Sequence, residues 1–263
     1  MTILDKIIAE KYIEVEENKN LISIKQLEKR KGFLRTPISL KEALTRQRSS
    51  GIIAEFKRKS PSKGIINNKV SVEEVTTGYM QANAAGLSIL TDRPFFGGSP
   101  IDVIAARELN SIPILRKDFI VDEYQIIEAK AMGADVILLI AAALEEDEIK
   151  KLARCAKSLH LEILFEVHTR QELDMVIDEV DMVGINNRNL KDFKVDLEHS
   201  LKLAEALPNQ FVKVSESGID SVDTIKMLRS HGFQGFLIGE NFMKTDNPGE
   251  ACREFINQLR IDS

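Results

Sequence analysis

The sequence predicts a (β/α)8 barrel preceded by a helical extension, and three observations carry that expectation. From Gly51 onward come eight short β-like runs, each trailed by a helical stretch, with starts roughly 20–35 residues apart, the length of a strand plus a crossover helix. Several runs are apolar throughout, as strands covered on both faces are. No G-x-G-x-x-G turn follows any run, so the dinucleotide signature of an open doubly wound sheet is missing, and no repeat signature marks a solenoid. Residues 1–263 are expected to form one barrel domain, with residues 1–47 as an N-terminal helical extension packed on it.

Within the extension, Leu4, Ile7, Ile8, Tyr12 and Val15 fall at helical spacing, with Asp5, Lys6, Glu10 and Glu14 outside. Ser39 ahead of Leu40-Lys41-Glu42 has the capping-box pattern. The expected strands are Ile52–Lys57, Leu87–Thr91, Ile112–Lys117, Asp135–Ile140, Glu162–Val167, Met182–Asn186, Phe211–Glu216 and Gly235–Gly239. The chain's net charge of −5 gives no basic footprint for nucleic acid. Its two cysteines, Cys155 and Cys252, are far apart and suit a reducing cytosol. No apolar run approaches membrane-spanning length, and Met1-Thr2-Ile3-Leu4-Asp5 does not read as a secretory signal, so a cytoplasmic protein without membrane contact is expected.

The segment from Ile52 to Gly64 is the most informative. Glu55 and Lys57 alternate on the first strand and so share a face, and Ser60-Pro61-Ser62 with Gly64 ends it in a turn. In a barrel the active site lies at the C-terminal strand ends, and polar residues gather there. Lys117 closes the third strand, Glu166 lies on the fifth, Asn186 and Arg188 follow the sixth, Glu216-Ser217-Gly218 the seventh and Gly239-Glu240 the eighth. Either glycine alone would only close a tight turn. Together with Ser60-Pro61-Ser62-Lys63-Gly64 they point to a phosphate cradle. Lys57, Arg58, Lys59, Lys63, Lys117 and Arg188 are expected to make the mouth positive. A lysine whose pKa is lowered by a neighbouring cation can protonate an oxygen near neutral pH, and a buried glutamate can hold or take a proton. Phe96, Phe119, Leu138 and Leu190 could line a slot for a flat ring, or simply fill the core. His168 follows Glu166 by two and can share its inward face, but one histidine without a second ligand makes no metal site. His160, His199 and His231 are expected at the surface near helix ends or turns.

Taken together, these stretches resemble the indole-3-glycerol-phosphate synthases of tryptophan biosynthesis. The likeness rests on Ile52–Ile66 with its Glu-x-Lys-x-x-Ser-Pro-Ser, Leu115-Arg116-Lys117-Asp118-Phe119, Leu164-Phe165-Glu166, Gly184-Ile185-Asn186-Asn187-Arg188, Val214–Ile219 and Leu237-Ile238-Gly239, all in the family's order. It covers essentially the whole chain and resembles the stand-alone form. The resemblance implies a carboxy-lyase that closes 1-(2-carboxyphenylamino)-1-deoxyribulose 5-phosphate to indole-3-glycerol phosphate, releasing carbon dioxide and water, with no cofactor or metal. Its partner is then a small phosphorylated substrate; association with other enzymes of the pathway is not legible.

The catalytic set it implies is Glu55, Lys57, Lys117, Glu166, Asn186 and Ser217. Lys117 is the general acid on the ribulose carbonyl. Lys57 pairs with the anthranilate carboxylate and later assists loss of the hydroxyl. Glu166 handles a proton in the dehydration and stabilises the cationic aniline nitrogen, while Glu55 holds the lysines. Asn186 binds substrate hydroxyls and Arg188 supports the site. Ser60, Ser217, Gly218 and Gly239 hold the phosphate, and Phe96, Phe119, Leu138 and Leu190 are the ring slot. Glu240 stands where some members resemble Gly-Ser, so its side chain either turns aside or opposes the anion. Rival readings are phosphoribosylanthranilate isomerase, a Schiff-base aldolase using Lys117, and a non-catalytic metabolite-binding barrel.

Overall fold

A computed structural model describes residues 2–189 and 194–261. Strand β1 (Ile52–Phe56) is followed by a minute antiparallel hairpin, β2 (Lys59–Ser60) and β3 (Gly64–Ile65). Then come β4 (Gly86–Leu90), β5 (Ile114–Lys117), β6 (Val136–Ile140), β7 (Glu162–Val167), β8 (Met182–Asn186), β9 (Val212–Glu216) and β10 (Phe233–Ile238). The eight strands other than the hairpin are parallel and close in the order β1-β10-β9-β8-β7-β6-β5-β4. Helices α1 (Ile3–Leu21), α2 (Ile24–Leu27) and α3 (Leu40–Thr45) precede the barrel. Outside it lie α4 (Val72–Gln81), α5 (Arg93–Phe96), α6 (Pro100–Leu109), α7 (Glu123–Met132), α8 (Glu146–Ser158), α9 (Arg170–Leu173), α10 (Leu197–Ala206), α11 (Val222–Ser230), α12 (Glu240–Met243) and α13 (Pro248–Ile261). All eight expected strands are present, within a residue or two at their ends. Pro113 has no N–H to donate, so β5 starts at Ile114. The hairpin was legible only as a turn, because two-residue strands have no periodicity.

Strand alternation sorts the side chains into two layers. Ile52, Ala54, Phe56, Ile163 and Phe165 point out and pack beneath the helices. Ile53, Leu115, Leu138, Leu164, Met182, Val214 and Leu237 point in and fill the barrel. Continuing the inward rows by two residues reaches Glu55, Lys117, Ile140, Glu166, Gly184 and Glu216, so the period of two delivers the polar residues to one end.

The extension closes the barrel at both ends. At the N-terminal mouth, Leu40 and Leu44 of α3 join the interior cluster. A Cβ on Gly86 would lie 2.5 Å from Leu40 Cδ1, so glycine there makes the room. Ser39 does cap α3, its Oγ accepting from the Glu42 N–H at 3.0 Å. The carboxylate that completes the cap, however, is not the expected Glu42, which is exposed. It is Glu162 at the start of β7, which accepts from the Leu40 and Lys41 N–H groups at 2.8 and 3.0 Å and from Ser39 Oγ. A carboxylate at this helix start suits the dipole, and using one from the barrel fixes the helix to it.

At the other end, α1 begins with a Thr2–Asp5 capping box and lies over the strands' C-terminal side. Its Lys11 is buried, with Nζ 2.9 Å from Asp118, 3.4 Å from Asp92 and 2.8 Å from Glu14. Asp118 also pairs with the buried Arg116 and accepts from Thr91. A buried ammonium needs such partners, and here they tie α1 to the loop directly after Lys117. Among the described residues, no helix is long and apolar enough to cross a membrane.

Candidate active site

A cavity of about 460 Å³ opens at the C-terminal strand ends. The expected residues Glu55, Lys57, Ser60, Phe96, Lys117, Phe119, Leu138, Glu166, Asn186, Arg188, Ser217, Gly218, Gly239 and Glu240 all line it. Leu190, expected in the ring slot, lies outside the described residues.

At the floor is a chain of charges. Lys57 Nζ donates to Glu55 Oε1 at 2.5 Å, and Ser88 Oγ donates to Glu55 Oε2 at 3.3 Å. Lys117 Nζ bridges two carboxylates, Glu166 Oε2 at 2.6 Å and Glu216 Oε2 at 2.8 Å. Asn186 Nδ2 donates to the other Glu166 oxygen at 3.0 Å. Barrel register places these groups side by side: Glu166 is level with Gly184, and Asn186 with Glu216.

The direction of the shift at Lys117, open in the sequence, is set by its acids. Its pKa is not lowered by a neighbouring cation. Burial works in that direction, but Glu166, Glu216 and Glu55 outweigh it and hold the ammonium well above its ordinary value. The physical reason is pairing: Lys57 is committed to Glu55, leaving Lys117 surrounded by acids. The two acids then separate. Burial raises Glu216 and Glu166 repels it, and Lys117 only partly offsets this, so Glu216 sits above the usual carboxylate range. For Glu166 burial is outweighed by Lys117 and then His168, and the carboxylate sits below that range. Paired groups pushed apart in this way can divide acid and base work.

The apolar wall is the expected slot with an additional contribution. Phe96 and Phe119 have ring centroids 5.9 Å apart and planes inclined by 37°. With Leu138 they share the cavity lining with Ile3, Leu4 and Ile7 of α1. The extension is therefore part of the cavity wall.

At the opposite rim, Ser217 and Gly218 both adopt positive φ, 70° and 69°, turning the chain sharply after β9. Asn187 supports this turn, its Nδ2 donating to Ser217 O at 2.7 Å and to Ser215 Oγ at 3.0 Å. Ser60 Oγ accepts from the Lys63 N–H at 3.2 Å. The Glu240 carboxylate turns toward Lys63 and Arg188, at 3.7 and 3.8 Å.

The mouth is not the positive surface expected from composition. Arg58 pairs with Asp102, and Lys59 donates to Pro94 O, so neither reaches the cavity. The remaining cations, Lys57, Lys63, Lys117 and Arg188, are joined by Lys244 and are met by Glu55, Asp118, Glu166, Glu216, Asp220 and Glu240 among the described lining residues.

Sequence reasoning left Glu216 out of the catalytic set. The available signal was Gly184: glycine inside a strand marks a close approach, and a Cβ there would collide with the Glu216 carboxylate. The contribution of Ile3, Leu4 and Ile7 carried no comparable signal, because an apolar helix face does not reveal what it covers. His168 is buried beside Glu166, as its spacing allowed, while His160, His199 and His231 are exposed.

Comparison with known proteins shows the family of the chain. Residues 4–255 match the family model of indole-3-glycerol phosphate synthase. The indole-3-glycerol phosphate synthase of Bacteroides thetaiotaomicron is 50% identical over 258 residues, spanning 98% of this chain and 99% of that one. That of Acinetobacter baumannii is 38% identical over 262 residues, spanning 98% and 96%. Among solved structures, 3-hexulose-6-phosphate synthase from Salmonella typhimurium superposes with a TM-score of 0.62 at 12% identity, over 81% of this chain and 99% of that one, a likeness of fold alone. With near-complete coverage and half of all residues shared with one relative, the chain belongs to the indole-3-glycerol phosphate synthase family.

Proposed function

We propose that the cavity performs the family's decarboxylating ring closure with its residues divided as follows. The anthranilate ring lies in the slot between Phe96, Phe119 and Leu138 under α1, and the phosphate lies at the rim formed by Ser60, Ser217, Gly218 and Gly239. Lys57 faces the anthranilate carboxylate, and Glu55 holds its ammonium in place.

As the ring carbon attacks the ribulose carbonyl carbon, Lys117 gives a proton to the carbonyl oxygen, which becomes a hydroxyl. Carbon dioxide then leaves the ring carbon, and the electron pair of the broken bond restores the aromatic ring. In the last step the hydroxyl departs as water with a proton from Lys57, and Glu166 takes the proton that must leave to form the indole double bond. Lys117 regains its proton from solvent by way of Glu216, the more basic of its two acids, through their 2.8 Å contact, while the proton taken by Glu166 offsets the one given by Lys57, so one proton is consumed overall. Asn186 holds Glu166 and the substrate hydroxyls, and Arg188 supports the rim.

The observation that carries this reading is the Lys117 ammonium set on two carboxylates at the cavity floor. Two acids on one amine keep it protonated, which suits a proton donor and opposes a neutral amine nucleophile. The test is product formation followed by indole fluorescence, clean here because the chain contains no tryptophan. Turnover by the native protein and its loss in Lys117→Ala is the expected result. A Lys117→Ala protein of near-native rate overturns the assignment.

A further inference from the structure

His168 follows β7 two residues after Glu166, and its side chain is only 8% exposed. Ring Nε2 lies 3.4 Å from Glu166 Oε1, and ring Nδ1 lies 3.6 Å from Glu172 Oε2 on α9. Both separations exceed the ~2.7–3.2 Å of an N–H···O hydrogen bond. Neither ring nitrogen has a hydrogen-bond partner among the described residues. The backbone, by contrast, is anchored on both sides: the His168 N–H donates to Glu172 at 2.6 Å, and the exposed His199 ring approaches the His168 carbonyl at 2.9 Å.

A buried neutral imidazole without hydrogen bonds is a poor use of an interior position. A charged imidazolium between two carboxylates is a sensible one. Glu166 approaches it from β7 and Glu172 from α9, with Glu216 of β9 acting on it from farther off; His199 of α10 meets its backbone, and Lys117 lies on the far side of Glu166. The ring does not line the cavity.

We infer that His168 is a positioning residue for Glu166: as an imidazolium held between Glu166 and Glu172, it fixes the Oε1 side of the Glu166 carboxylate, leaving Oε2 on Lys117. Asn186 approaches the same Oε1, so that oxygen is held from two sides. Burial lowers the imidazole pKa, but Glu172, Glu166 and Glu216 raise it further than burial lowers it. Reciprocally, the imidazolium is second after Lys117 among the groups that hold the Glu166 carboxyl down. Without it, Glu166 faces Glu172 and Glu216 with one cation fewer and binds a proton more readily. The enzyme then loses its ionised base at a higher pH. This inference rests on the reading of Glu166 as a proton acceptor.

The experiment compares native protein with His168→Gln and His168→Leu, measuring kcat and KM by indole fluorescence from about pH 5 to 9. Both variants are neutral, and glutamine keeps an amide near the ring position. Expected are a KM within about twofold, a kcat reduced about tenfold, less than the ~10²–10⁴-fold of a general acid or base, and an acidic limb of kcat displaced to higher pH in both. Imidazole nitrogen shifts of labelled native protein, which require no variant to fold, should show His168 doubly protonated at neutral pH. A neutral His168 in that spectrum overturns the inference, as does a variant with native kcat and an unmoved acidic limb. Glu166→Gln separates the two levels. If it loses turnover while the His168 variants keep the native profile, only the inference about His168 fails; if it retains turnover, the underlying reading of Glu166 fails.

Discussion

Gly184 and Glu216 share one space: a Cβ on the glycine of β8 would collide with the carboxylate of the neighbouring strand. The missing side chain is what allows Glu216 to reach Lys117 at 2.8 Å. Gly184→Ala should therefore push Glu216 off the ammonium. We expect kcat to fall by about tenfold or more with little change in KM, since the lost contact serves a proton and not ground-state binding. Overpacking of this kind should also cost about 1–3 kcal/mol of stability. Indole fluorescence and a denaturant melt measure both, and unaltered kcat would mean that Glu216 is a bystander.

Lys117 distinguishes proton donation from imine formation. Held charged by Glu166 and Glu216, it should not attack a carbonyl carbon. Borohydride added during turnover is expected to leave the protein's mass unchanged. A reduced substrate adduct located at Lys117 by mass spectrometry would favour the aldolase-like route.

Glu166→Gln should lower kcat more than it raises KM. Glutamine preserves the contact with Asn186 but cannot accept a proton, so the loss falls on chemistry, at about 10²-fold or more. A change confined to KM would reassign Glu166 to substrate positioning.

Glu240 lies close to two cations beside the proposed phosphate rim, Lys63 at 3.7 Å and Arg188 at 3.8 Å. Glu240→Gln should therefore tighten inorganic phosphate by a modest factor of about 2–5, as expected for removing a half-exposed ion pair, and the gain should shrink with added salt. Gly218 and Gly239 should behave oppositely. A bulky residue at Gly218 strikes Val195, and one at Gly239 meets the Glu55 carboxylate, so both should weaken phosphate binding and the second should also disturb Lys57. Isothermal titration with inorganic phosphate checks all three. Unchanged affinity in both glycine variants would place the anion elsewhere.

Lys11→Met tests the clamp on α1. Removing the cation strands Asp118 and Asp92 in the interior, and breaking a buried pair costs about 3–5 kcal/mol. Burial raises the Asp118 carboxyl, but Lys11 and Arg116 bring it below its ordinary value. Its stabilising effect is therefore present above the unfolded carboxylate pKa and is lost as pH falls through the folded one. In the variant the folded value rises, and acid unfolding should begin at higher pH. An acid midpoint identical to that of the native protein would show that the cluster is not coupled to stability.

Most of this molecule was legible because two periods coincide. Strand and helix rhythms gave the eight βα units, and the period of two carried Glu55, Lys57, Lys117 and Glu166 to one end without any knowledge of their neighbours. The resemblance supplied their roles, and family membership follows from the comparisons. What sequence could not give was pairing. Which acid meets which base depends on barrel register, so Glu216 beside Lys117, Arg58 turned away to Asp102 and Glu162 replacing Glu42 at the α3 cap were all hidden. The sign of the Lys117 shift stays open in the sequence for the same reason, because it depends on contacts 49 and 99 residues away along the chain.

The attachment of the extension has a consequence for the order of assembly. Residues 1–47 are synthesised before the barrel, yet the groups that receive them are made much later. The α3 cap waits for Glu162, 122 residues beyond Leu40, and Tyr124 closes on the end of α1 across a separation of 106 residues. Contacts of such range form late, because the loop between their ends must be ordered before they give any return. During synthesis α1 therefore waits for Tyr124 and α3 for Glu162, and the barrel itself closes only when β10 reaches β1, so its apolar interior and slot are exposed to chaperones and to wrong partners for that interval. A circular permutant that moves residues 1–47 behind the barrel would supply the extension when its docking sites already exist, and should aggregate less than the native order during cell-free synthesis.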